Sequence, residues 1–227
     1  IICVQDALDK DLIILAVPVD ACIEILQKNS AKNKLKTIID LGSTKERISN
    51  CLSSKAREIL VAAHPMTGTE YSGPEAAVES LYEGKTVVLC DLEKSGEHQA
   101  KVAKELFTSL GMNIIEMDSK THDLHAAYIS HLPHIISYSL ANTVLSKENP
   151  EDILSMAAGG FRDMSRLAKS RTDLWTQIFR QNKANLLESI ELFEKNVKEL
   201  KELIKSNDWN ELNAALERAK GLHSIFK

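Results

Sequence analysis

Short, almost uninterrupted apolar runs alternate with helix-spaced segments through the first half of the chain. The runs are L-I-I-L-A-V (12–17), T-I-I-D-L (37–41), I-L-V-A-A (59–63), T-V-V-L-C (86–90) and N-I-I-E-M (113–117). A strand covered on both faces reads this way, because neither face has to alternate with water. Helical stretches at 20–29, 44–54 and 95–110 fall between several of the runs. The alternation predicts an α/β domain over residues 1–118, with an open parallel sheet and right-handed crossovers.

The rhythm changes after about residue 118. No β-type run follows, and residues 171–206 carry Phe179, Leu186, Ile190, Phe193, Val197, Leu200 and Ile204 at heptad-like steps. That spacing predicts one long helix with an apolar seam. Ser170 with Asp173 would form its capping box, and Ser206-Asn207-Asp208 its stop. A seam of this length needs a long partner. A bundle formed between two chains supplies one and implies a homodimer; a bundle closed within one chain is the alternative. Residues 119–227 are therefore expected to form a helical domain.

Composition narrows the class. Of 227 residues 44% are apolar and 26% charged, with nine glycines and five prolines, a profile of a folded globular protein with ample core material. A net charge of −4, with no single-sign block, disfavours a nucleic-acid partner. Cys3, Cys22, Cys51 and Cys90 lie far apart among apolar residues, which suits reduced core side chains in a cytoplasmic protein. No apolar run approaches the roughly 20 residues of a membrane helix.

In an open α/β sheet, ligands bind outside the carboxyl ends of the strands. Here three successive strands end in A-V-P-V-D (16–20), D-L-G-S-T-K (40–45) and A-H-P-M-T-G-T-E (63–70). Gly42 and Ser43 open a helix, whose backbone N–H groups could face a phosphate or ribose, or serve only as an N-cap. His64, at a strand end before a proline, is either a functional group or punctuation. Convergence of the three loops on one crevice favours the functional reading.

Four histidines lie in T-H-D-L-H-A-A-Y-I-S-H-L-P-H (121–134). At about 100° per residue, His122 and His131 point to opposite sides of a helix, as do His125 and His134, which argues against a metal site. Pro133 should also disturb that helix near its middle. Further on, G-G-F-R-D-M-S-R (159–166) sets Arg162 and Arg166 at i and i+4 on one helix face. Gly159 and Gly160 would break the preceding helix and let backbone pass closely. Paired arginines suit bidentate capture of a carboxylate, or they are surface residues partnered by Asp163 and nearby acids.

Taken together, L-A-V-P-V, D-L-G-S-T-K, H-P-M-T-G-T-E-Y-S-G, H-D-x-x-x-A-x-x-S-H-L-P-H and G-G-F-R-D-M-S-R resemble the prephenate dehydrogenase family, which includes arogenate dehydrogenases of tyrosine biosynthesis. The motifs come in the family's order and span most of the chain. The resemblance implies a Rossmann-like nicotinamide-binding domain followed by a helical dimerisation domain. It also implies oxidative decarboxylation of prephenate by NAD or NADP, NAD being favoured. By the same resemblance His64 is the base and Ser43 the serine that orients it beside the nicotinamide. Ala16, Pro18, Ser43 and Thr69 lie at the cofactor, and Glu70 at the pocket rim. Ser130 and His134 line the substrate site, Arg166 pairs with a substrate carboxylate, and Trp175 comes from the other subunit. No metal is implied.

The family pattern begins with a strand, a glycine-rich phosphate loop and an acidic residue that selects the cofactor. This chain joins the pattern after all three, as if roughly 50 to 60 residues preceded it. Two other readings stay open. Another β-hydroxyacid dehydrogenase would use a helical-domain lysine, for which Lys183 in N-K-A-N is the candidate. A non-catalytic helical dimer module would need no cofactor loop.

Overall fold

A computed structural model of the chain describes residues 9–29, 36–68 and 77–225. Cys3, Thr69 and Glu70 lie outside the described residues. The chain divides into two compact units, Ile1–Lys183 and Ala184–Lys227.

The first unit is built on a five-stranded sheet: β1 (Leu12–Leu15), β2 (Thr37–Asp40), β3 (Leu60–Pro65), β4 (Thr86–Cys90) and β5 (Asn113–Met117), side by side in that order. Each predicted run becomes a strand. Between the strands lie α1 (Val19–Asn29), the short helices α2 (Glu46–Ser49) and α3 (Ser54–Arg57), and α4 (Glu97–Ser109). Successive side chains of a strand point to opposite faces, so each apolar run feeds two cores. Ile13, Leu15, Ile38 and Leu60 pack with Val19, Cys22 and Leu26 of α1. Ile39, Val61, Ala63, Val87 and Leu89 pack with Ala103 and Phe107 of α4. Each fully buried Leu or Ile contributes about 1.5–3 kcal/mol.

Three features depart from the sequence-based expectations. The sheet is mixed: β1–β2–β3 and β4–β5 pair parallel, but β4 runs antiparallel to β3, His64 facing Val88. An antiparallel neighbour needs no crossover, and β3 ends where β4 begins, Pro65 facing Val87. Coverage on both faces holds for β2, β3 and β4, whereas in β1 Leu12 and Ile14 are exposed and β5 is mostly open. The helix expected over 44–54 is two short pieces, α2 and α3.

After β5 comes a continuous helical run: α5 (Ser119–Ala126), a π-helical turn (Ala127–His131) and α6 (Leu132–Leu145). Asp118 caps it by accepting the Thr121 N–H at 2.8 Å. Pro133 lacks an N–H, and the π turn immediately before it changes the hydrogen-bond step there, so the run continues instead of breaking. Next come α7 (Pro150–Ser155), α8 (Gly159–Ser165), a 3-10 segment (Arg166–Lys169) and α9 (Thr172–Gln181). Gly159 and Gly160 start α8, and a Cβ on either would meet nothing within 4 Å, so close backbone passage is not their role.

The long helix expected over 171–206 is interrupted at Asn182, which separates α9 from α10 (Lys183–Lys205). The Asn182 amide is engaged elsewhere, donating to the Asp123 carbonyl at 2.6 Å and lying 3.1 Å from His131 Nδ1. The Ser170–Asp173 capping box does not form. Asp173 pairs with Arg171, and Ser170 Oγ lies toward His134. The expected stop does occur, with Asn207 at φ 56° and Asp208 capping α11 (Trp209–Lys220) through the Glu211 N–H. A last helical turn, α12 (Leu222–Ile225), follows. In the second unit Val197, Ile204, Trp209 and Leu216 are exposed. Among the described residues no helix is long and apolar enough to cross a membrane.

Candidate active site

The carboxyl ends of β1, β2 and β3 open on one crevice of about 370 Å³, within the range of small-ligand pockets. All three loops singled out in the sequence line it: Ala16 to Val19, Leu41 to Ser43, and Pro65 with Thr67. Leu174, Gln177, Ile178 and Gln181 of α9 close the other side. Gly42 is required here by packing, since a Cβ would come within 2.8 Å of Val19 Cγ2. This wall of mixed apolar and polar residues, Ser43, Thr67, Gln177 and Gln181 among the latter, suits a flat heteroaromatic ring and its ribose.

The start of α2 differs from the phosphate-binding expectation. Its N–H groups already have an acceptor: the Asp123 carboxylate takes Lys45 N–H at 2.7 Å and Glu46 N–H at 3.0 Å, while Gly42 N–H goes to Asp40 at 2.9 Å. A protein carboxylate thus occupies the Lys45 and Glu46 N–H groups at this helix start.

His64, on β3 beside the crevice-lining Pro65, is partly buried. Its Nδ1 lies 2.9 Å from His122 Nε2, and His122 Nδ1 lies 2.8 Å from Asp123 Oδ1. His122 and Asp123 are each 3% exposed. Below them runs a wholly buried ion pair, Lys45 with Asp40, in which Lys45 Nζ also donates to the Ala63 carbonyl at 2.7 Å. Burial holds the His64 pKa well below 6.5, and the charges of Lys45, His122 and His131 add to the effect. The ring is therefore neutral, as a base must be.

The second cluster converges on α9. His134, 8% exposed, stacks on Trp175 with ring centroids 3.3 Å apart, and its Nδ1 donates to the Ser130 carbonyl at 2.9 Å. Burial lowers its pKa; the Ser130 hydrogen bond opposes this and the Arg166 charge reinforces it. His131 meets Trp175 edge-on at 6.1 Å. Asn182 joins the clusters, bonding both Asp123 and His131. Among the described residues no group of three His, Cys, Asp or Glu side chains is arranged for a metal ion.

The structure thus gathers His64, Ser130, His134 and Trp175 along one connected network, with Ala16, Pro18 and Ser43 in the adjoining crevice. Among the described residues the ring partner of His64 is His122, with Ser43 in the crevice wall. Trp175 lies against His134 of its own chain. Arg162 ends up on α8 and Arg166 on the following 3-10 segment, both exposed and, among the described residues, outside any ion pair. Lys183 is exposed. Sequence reasoning assigned no role to His122, Asp123, Lys45 or Asn182. The H-D pair at the start of α5 and the lysine closing D-L-G-S-T-K were the available signals.

A crevice at the carboxyl ends of neighbouring parallel strands, walled by small residues, marks the nucleotide-binding α/β proteins. Residues 2–116 match the family described as "Prephenate dehydrogenase, nucleotide-binding domain", and residues 118–218 match "Prephenate dehydrogenase, dimerization domain". The chain belongs to the prephenate dehydrogenase family. It is 34% identical to the prephenate dehydrogenase of Lactococcus lactis subsp. cremoris over 99% of this chain and 63% of that protein. It is also 34% identical to the cyclohexadienyl dehydrogenase of Zymomonas mobilis subsp. mobilis, over 90% of this chain and 72% of the other. The crystal structure of prephenate dehydrogenase from Aquifex aeolicus with hydroxyphenyl propionate and NAD+ superposes with a TM-score of 0.87 at 34% identity, covering 96% of this chain and 77% of that one. Synechocystis arogenate dehydrogenase gives 0.82 at 25% identity, covering 98% and 81%. The chain spans less than two thirds of the Lactococcus protein.

Proposed function

We propose that this chain carries the reaction centre of an NAD(P)+-dependent prephenate dehydrogenase, NAD+ being the favoured cofactor. The observation that carries the reading is His64: a neutral imidazole, at the end of β3 beside the crevice at the strand ends. Nicotinamide in that crevice would supply the hydride acceptor. Ala16, Pro18 and Ser43 form its wall. His64, through the ring nitrogen not engaged by His122, accepts the proton of the ring hydroxyl as the C–H hydride leaves the same carbon. The resulting carbonyl draws the electrons of the ring C–CO2 bond, carbon dioxide departs, and the reprotonated phenol is 4-hydroxyphenylpyruvate. Arg166 takes a substrate carboxylate, and Ser130, His134 and Trp175 shape the pocket; the roles of Thr69 and Glu70 rest on the family resemblance alone. Two copies associate through the helical part; the match to the family's dimerization domain and the exposed Val197, Ile204, Trp209 and Leu216 support this.

Arogenate is the second substrate to test, because the Synechocystis arogenate dehydrogenase and the Zymomonas cyclohexadienyl dehydrogenase are both similar to this chain. The intact protein is assayed with prephenate or arogenate and NAD+ or NADP+, following reduced nicotinamide. Turnover of neither substrate overturns the reading. His64→Asn should lose on the order of 10²–10⁴ in kcat with a smaller change in KM. Arg166→Ala should raise the substrate KM steeply at nearly constant kcat, and an unchanged KM removes the carboxylate role.

A further inference from the structure

Asp123 fixes the direction of the hydrogen bonds that reach His64. Its carboxylate is bonded by the Lys45 and Glu46 N–H groups, which can only donate. The third contact, His122 Nδ1 at 2.8 Å from Oδ1, then requires Nδ1–H on His122. A neutral His122 with its proton on Nδ1 presents a bare Nε2. That atom faces His64 Nδ1 at 2.9 Å, so His64 must also carry its proton on Nδ1. Its Nε2 is left with a free lone pair. Neither His122 nor Asp123 has room to exchange these partners for water, both being 3% exposed, and the Asp123 carbonyl is held by Asn182.

We propose that His122 and Asp123 are positioning residues for His64: together they select its Nδ1–H tautomer and accept the charge that develops when its Nε2 takes up a proton. An isolated imidazole prefers neither face of a crevice and distributes its proton between two nitrogens. Here the choice is made by a carboxylate two hydrogen bonds away. When His64 becomes an imidazolium, its Nδ1–H bond to His122 becomes charge-assisted, and His122 in turn leans on Asp123. The geometry shares its logic with a carboxylate-oriented histidine, lengthened by one ring.

The role assigned rests on His64 being the base of the proposed reaction, but the tautomer can be tested without it. In the unmodified protein, labelled with 15N at histidine, His64 and His122 should both show a protonated Nδ1 and a bare Nε2 at neutral pH. A His64 that is protonated on Nε2 overturns the inference whatever the substrate. In the kinetic arm, His122→Phe should lower kcat on the order of 10²-fold with KM changed by less than about threefold. His122→Gln, whose side-chain carbonyl can still accept from His64 Nδ1–H, should recover part of that loss. A His122→Phe enzyme with unchanged kcat, or a Gln variant as impaired as Phe, also overturns it. A wild-type protein that turns over neither prephenate nor arogenate would refute the proposed function, leaving the tautomer measurement to decide the hydrogen-bond assignment.

Discussion

His131 predicts a specific acid sensitivity. It is 1% exposed, its Nδ1 faces the Asn182 amide donor at 3.1 Å, and its Nε2 has no hydrogen-bond partner among the described residues. Protonation would bury a charge and set Nδ1–H against an N–H of Asn182. Burial therefore lowers the pKa from 6.5 to about 4; Asp123 opposes the shift, while His122 and His134 reinforce it. Below pH 6.5 the unfolded chain binds a proton that the folded chain refuses, so stability falls with falling pH. The contribution is complete above about pH 6.5 and is lost progressively down to about pH 4. Between pH 7 and pH 5 the loss is about 2 kcal/mol, at 1.36 kcal/mol per pH unit over the part of the window crossed. The assay is urea unfolding at both pH values for wild type and His131→Phe. The variant is expected to be less stable at pH 7, because Asn182 loses an acceptor, but its pH dependence should be flatter by about 2 kcal/mol. Wild type and variant losing stability in parallel would refute the reasoning.

The wholly buried Lys45–Asp40 pair should respond asymmetrically to mutation. Lys45→Met leaves the Asp40 carboxylate unpaired and should cost about 3–5 kcal/mol in chemical denaturation, whereas Lys45→Met with Asp40→Leu should recover much of it; equal costs would contradict the burial argument. The proposed reaction needs the neutral form of His64, whose pKa burial and the Lys45 charge lower, so the acid limb of kcat/KM should have its midpoint below pH 6.5. A midpoint at or above 6.5 would mean that another group governs the limb.

Strand positions were legible because β-branched runs are local: each predicted run contains or overlaps a strand, and T-V-V-L-C coincides with β4. Strand direction was not legible, since an apolar run looks the same whichever way it is traversed. The break at Asn182 was hidden for another reason. The apolar spacing steps from Phe179 to Leu186 straight across it, while the groups that hold Asn182 lie 59 and 51 residues away in sequence. The capping box failed similarly, with Arg171 outcompeting the helix start for Asp173.

The D-L-G-S-T-K loop shows the same division between local chemistry and distant partner. Reading exposed N–H donors at the start of α2 was sound physics, because a helix start always has them. The acceptor turned out to be Asp123, 78 residues from Lys45, and that carboxylate also receives the His122 ring. One side chain therefore both caps the helix after β2 and anchors the histidine that faces His64. It follows that His64 acquires its partner only when α5 has docked on the sheet. Strand β3 supplies the proposed base, but its hydrogen-bond partner comes from a segment more than 50 residues later in the chain, His122 lying 58 residues from His64.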